Sequence, residues 1–179
     1  MTQPGTETIR ASAADHYLST GILLMMAAAT GLCAGANYFN QPLLSSIALA
    51  LGVSEGVAAL TVTLSQVAYA VGLLFLVPLG DKLEQRGLAV GLMLTAALGL
   101  LISGYAQNFS MLLVGTLITG FFSVAAQILV PMAANLSDPA RSGRAVGLVM
   151  SGLLAGILLA RTAAGLLSEV DGWSTVYRL

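Results

Sequence analysis

Arg161 stands in the run Ala145–Leu167, which carries no other charged residue. A guanidinium placed centrally in a membrane-spanning helix costs about 2.5–3.5 kcal/mol on insertion scales, so such a residue marks a ligand or coupling site unless it escapes. Two escapes are open: its stem reaches the nearer surface, or it pairs with Glu169. Uncharged polar side chains recur at helical spacing in other runs, as Thr116, Thr119, Ser123 and Gln127, as Cys33, Asn37 and Gln41, and as Ser65, Gln66 and Tyr69. The chemistry open to them is hydrogen bonding. They bind each other across helix interfaces, at about 0.6 kcal/mol apiece, or they line a polar cavity that takes a small molecule. The residues expected at such a cavity are Asn37, Tyr38, Asn40, Gln41, Gln127 and Arg161. Covalent and metal chemistry find no support. No nucleophile is set beside a base, and no phosphate loop is present. The single cysteine, Cys33, and the single histidine, His16, make neither a disulfide nor a metal set. No cofactor, metal or enzymatic activity is expected.

The elements that must position these groups follow from composition. Of 179 residues, 57% are hydrophobic and 8% charged, with net charge −1, well beyond the apolar share of roughly 45–50% in soluble domains. The chain is expected to sit in a lipid bilayer. Seven Lys and Arg spread over its length make no basic stripe, which argues against nucleic-acid binding. A hydrocarbon core of about 30 Å requires roughly 20 apolar residues in a helix. Five runs meet this length: Leu18–Phe39, Val57–Leu79, Leu88–Ala106, Met111–Ala134 and Ala145–Leu167. All are expected to be helices, since the period-2 alternation of barrel strands is absent.

Asn40-Gln41-Pro42 is expected to close the first run and Leu136-Ser137-Asp138-Pro139 the fourth, by helix-stopping residues. After Asp171-Gly172 a sixth apolar segment begins, seven residues from the end of the sequence. Residues 1–17 are polar and read as a cytoplasmic tail, not as a cleaved signal. With that tail inside, Arg10, Lys82, Arg86, Arg141 and Arg144 all fall on the inner side, as the positive-inside rule asks. Gly31 with Gly35, Gly147 with Ser151, and Gly152 with Gly156 are small-residue pairs one helical turn apart, which allow close helix packing.

The segment Val77-Pro78-Leu79-Gly80-Asp81-Lys82-Leu83-Glu84-Gln85-Arg86-Gly87 resembles the signature loop between the second and third spans of major facilitator superfamily transporters. Val77 and Glu84 stand where that loop has glycines. The resemblance implies a cytoplasmic gate made by Asp81 and Arg86, with Lys82 secondary. A second pattern, Gly147, Gly156, Ala160, Arg161, Ala164 and Gly165, is similar to the fifth-span motif of the proton-coupled efflux branch of the family, and implies helix-packing roles for Gly147, Gly156 and Gly165. The string ANYFNQPLL, from Ala36 to Leu44, resembles the first-span ending of bacterial sugar and drug efflux members. Thr116 occupies the fourth-span position where the family carries a buried arginine, and Arg161 is a candidate to supply that charge. The connectors around Gly80 and Gly172 align as inverted repeats.

The fold expected is therefore an all-α membrane bundle, the N-terminal half of a major facilitator fold. It comprises residues 18–179, with five complete spans and the start of a sixth. By resemblance, the function is secondary transport of a small molecule by alternating access across a bacterial inner membrane. The same resemblance implies efflux coupled to protons, with a missing C-terminal half expected to complete the pathway. Because no carboxylate lies within the spans, the coupling acid is expected in that missing part or at Asp81. Two alternatives from other classes are a truncated, non-transporting membrane scaffold and a half-transporter acting as a homodimer.

Overall fold

A computed structural model of the protein describes residues 19–178. The expected tail, residues 1–17 with Arg10 and His16, lies outside the described residues. So does the side chain of Glu169, and with it the pairing considered for Arg161. The helices are α1 (Thr20–Tyr38), α2 (Leu44–Leu51), α3 (Glu55–Leu76), α4 (Gln85–Gly104), α5 (Phe109–Phe122), α6 (Ala125–Asn135), α7 (Ser142–Asp171) and α8 (Trp173–Arg178). Short 3-10 turns at Gln41–Leu43 and Pro78–Asp81 join α1 to α2 and extend α3. Five helical stretches, Thr20–Leu51, Glu55–Asp81, Gln85–Gly104, Phe109–Asn135 and Ser142–Ser168, are long and apolar enough to cross a membrane.

Polar residues beside the apolar runs start four of these stretches. Ser19, Ser54, Glu84 and Asn108 each accept a hydrogen bond from the backbone N–H three residues on, at 3.4, 3.3, 2.7 and 2.8 Å. Each satisfies a donor that the helix itself leaves free. Glu84 therefore caps the helix after the signature loop.

Two breaks differ from the expectation. Asn40-Gln41-Pro42 interrupts the first span without ending it, and the chain stays helical to Leu51 before turning at Gly52, whose φ is +64°. Pro42 lies at the start of the 3-10 turn that leads into the new helix, where its missing N–H has no partner to lose. The fourth span is not one helix. It opens at Ser123 and Val124 between α5 and α6, where Ser123 Oγ donates to the Thr119 carbonyl at 2.6 Å and competes for a backbone acceptor.

Packing proceeds backbone against backbone. α1 lies along α7, α5 lies against both α3 and α4, and α6 contacts α1, α4 and α7. A Cβ on Gly31 would stand 2.5 Å from the Gly152 carbonyl oxygen, and one on Gly35 3.0 Å from Ala160 Cβ. Gly120 is similarly pressed on the Ser65 carbonyl, and Gly99 on Thr119. Gly156 meets Gly31 directly, whereas Gly147 and Gly165 have nothing within 4 Å of a Cβ position. Of the three glycines given packing roles by the efflux motif, only Gly156 packs within this bundle. Outside, Leu32, Leu74 and Leu158 are among many large apolar side chains left exposed, a surface suited to lipid or to a further apolar partner.

Candidate functional site

These contacts leave a cavity of about 110 Å³ between four helical stretches. α1 contributes Cys33, Ala34, Asn37 and Tyr38, α3 contributes Tyr69, the broken fourth span contributes Ser123, Ala126 and Gln127, and α7 contributes Leu153 and Ile157. The glycine contacts between α1 and α7 set the distance between two of its walls. Gln127 sits between the break at Ser123 and Pro131 within α6. Pro131 has no N–H to offer the Gln127 carbonyl, so the helix is loosened on both sides of this residue.

The polar groups of the cavity are arranged by two hydrogen bonds. Ser65 Oγ donates to Asn37 Oδ1 at 2.6 Å in a buried site, which leaves the Asn37 amide N–H groups for the cavity. Gln127 Nε2 donates to Tyr69 Oη at 3.1 Å, which leaves Gln127 Oε1 as an acceptor and the Tyr69 O–H as a donor. With Tyr38 the lining offers several donors, one amide acceptor, two aromatic rings and no charged side chain. Such a set fits a neutral ligand rich in nitrogen and oxygen.

Asn37, Tyr38 and Gln127 thus come together, while Asn40, Gln41 and Arg161 do not join them. Arg161 Nη2 donates to Gln41 Oε1. Both residues lie about one helical turn beyond cavity residues, Gln41 after Tyr38 and Arg161 after Ile157. Asn40 is buried elsewhere, in a smaller cavity with Thr116 and Tyr177. Thr116 Oγ1 donates to the Leu112 carbonyl at 2.8 Å, and Arg161 does not line the smaller cavity with it. Tyr69 and Ser123 belong to the polar stripes read from the sequence but were not singled out for the cavity. Leu153 and Ile157 carry no polar signal that could have marked them.

At the opposite end of the span, Asp81, Lys82 and Arg86 are exposed, and among the described residues none of them makes an ion pair. Gly80 alone in this loop is buried, with Ile128 Cγ1 3.7 Å from its Cβ position. Among the described residues no group of His, Cys, Asp and Glu is placed to hold a metal ion.

The sequence model of the Major Facilitator Superfamily matches residues 26–179. "Uncharacterized transporter YgaY" of Escherichia coli O157:H7 is 52% identical over 163 residues, which are 91% of this chain and 41% of that protein. "Probable transporter SCO4007" of Streptomyces coelicolor is 34% identical over 155 residues, 87% of this chain and 36% of that protein. "Purine ribonucleoside efflux pump NepI" of Escherichia coli O127:H6 is 26% identical over 140 residues, 75% of this chain and 34% of that protein. The chain spans about two fifths of the length of the first of these relatives.

Proposed function

The chain belongs to the Major Facilitator Superfamily of membrane transporters, and from that premise we propose that its bundle supplies one side of a translocation path for a small, neutral, heteroatom-rich molecule. The observation that carries the reading is the uncharged cavity in which Asn37, Tyr69 and Gln127 present both donors and an acceptor. Purine ribonucleosides have this chemistry, and a relative at 26% identity is named for their efflux. Transport is outward, in exchange for protons, across a bacterial inner membrane. A second bundle rocks against this one to open the cavity to each side in turn. Lys82 and Arg141 lie in connectors at one end, and Arg86 and Arg144 in the first turns of the helices that follow them, which supports placing that end in the cytoplasm. In this arrangement Asp81 and Arg86, with Lys82, contact the second bundle on the cytoplasmic side, and Gln41 and Arg161 flank the cavity toward the other side.

Binding is the step that this chain can be asked to perform alone. Cys33 is its single thiol and lines the cavity, so the rate of labelling by a small maleimide reports occupancy. Purine ribonucleoside is expected to slow labelling in the purified chain, and Gln127→Ala is expected to abolish that protection. Protection unchanged in Gln127→Ala, or absent throughout, refutes the assignment of the cavity. Proteoliposomes carrying a full-length relative, with an imposed pH gradient, test direction and coupling. Nucleoside flux insensitive to the gradient refutes the proton exchange.

A further inference from the structure

The smaller cavity, about 10 Å³ in volume, is lined by Asn40, Ser65, Thr116, Thr119 and Tyr177 together with Ala36, Phe39 and Leu100. Asn40 and Tyr177 are 5% and 4% exposed, and neither Asn40 Oδ1 nor Tyr177 Oη has a hydrogen-bond partner among the described residues. Unpaired polar atoms at this depth are costly, and two of them facing one space point to a shared ligand. The volume matches the roughly 10–15 Å³ that one water molecule requires.

The chemistry of the lining selects the occupant further. Asn40 Oδ1 only accepts, whereas the Tyr177 O–H can donate. Ser65 gives its hydrogen to Asn37 Oδ1 at 2.6 Å and keeps lone pairs free. The hydroxyl hydrogens of Thr116 and Thr119 are engaged by backbone carbonyls. No lining residue is charged, so a bound ion would stand uncompensated in a low-dielectric site. Tyr177 cannot swing away to find another partner, because its ring packs edge-on against Phe39 at 4.7 Å and Trp173 at 5.8 Å.

We propose that this cavity is a binding site for a single structural water, which accepts from the Tyr177 O–H and donates to Asn40 Oδ1 and Ser65 Oγ. Three partners are the usual complement of a buried water. The water joins the turn after α1, the middle of α3 and the short α8. Through Ser65 it holds Asn37 Oδ1 in place, and so keeps the Asn37 amide N–H groups turned toward the larger cavity. One hydrogen-bonded chain then links the start of the sixth span to the wall of the candidate site.

The test is a structure of the chain in lipid nanodiscs at a resolution that shows ordered water, together with thermal unfolding of Asn40→Leu, Tyr177→Phe and the double variant. Expected is a single density peak at hydrogen-bonding distance, roughly 2.7–3.2 Å, from all three oxygens. Each single variant is expected to lower the Tm, and the double variant to lower it by less than the sum of the two single losses, because the second substitution removes the group that the first strands. A direct bond between Asn40 Oδ1 and Tyr177, a peak with the short distances of a coordinated cation, or strictly additive Tm losses would each overturn the proposal. If the variants fail to fold, the density in the unaltered chain decides alone.

Discussion

Replacing Gly31 by alanine adds one methyl group where the backbones of α1 and α7 already touch. The new Cβ would lie 2.5 Å from the Gly152 carbonyl oxygen, against 3.4 Å for an ordinary contact, so the helices must part by about 0.9 Å. A gap of this size forfeits a quarter to a half of each dispersion contact it interrupts, and lipid offers little hydrophobic drive to restore the pairing. Overpacking of this kind costs about 1–3 kcal/mol, which for a chain of this length lowers the Tm by roughly 2–12 °C. Gly147→Ala is the control. Its Cβ meets nothing within 4 Å, and alanine is the better helix former, so its Tm stays level or rises. Both variants are to be unfolded thermally in the same detergent, with the labelling rate of Cys33, 6% exposed, as a second readout. That rate is expected to rise only in Gly31→Ala, because the parted helices are two walls of the cavity. Equal Tm values for the two variants would falsify the claim that backbone contact, as opposed to glycine content, holds the spans together.

Other consequences are as direct. Glu84→Ala removes the cap of α4 and is expected to cost about 0.5–2 kcal/mol in unfolding free energy, while Asp81→Ala stays within about 0.5 kcal/mol; the reverse order would show that the loop is held by Asp81. Ser65→Ala leaves Asn37 Oδ1 buried without its donor and is expected to destabilise by about 1–3 kcal/mol, with an unchanged unfolding midpoint counting against that bond. Arg161→Ala, in an intact transporter, is expected to reduce flux severalfold while folding is retained; unaltered flux removes Arg161 and its partner Gln41 from the pathway.

The five spans were legible because each must supply roughly 20 apolar residues to cross the hydrocarbon, a demand that leaves little freedom in composition. The breaks were less so. Pro42 reads as a stop from its type, yet its position at the start of the 3-10 turn that leads into α2 makes it compatible with helix. The opening at Ser123 lies among residues that helices accept, and its only trace is the one-turn spacing to Thr119. Spacing also marked Gly31 and Gly35 and the pair Gly152 and Gly156, which meet across the α1–α7 contact. The same rule marked Gly147, on a face with no neighbour here, because periodicity gives a face and not what stands opposite it. For the cavity, polar stripes located Asn37, Tyr38 and Gln127. They overreached to Asn40, Gln41 and Arg161, one turn further, where Gln41 and Arg161 bind each other and Asn40 faces the smaller cavity.

The α1–α7 contact also distributes stiffness unevenly. Where side chains meet, a switch of rotamers can absorb a shift, but main chain lying on main chain has no such reserve, so the two helices must travel as a single beam. Asn37 and Tyr38 on one side of the beam, and Leu153 and Ile157 on the other, keep their spacing whatever the rest of the molecule does. Compliance then falls to the fourth span, loosened at Ser123 and again at Pro131. Any ligand that enlarges or contracts the cavity does its mechanical work by bending that wall, and Gln127 is the residue that moves with it.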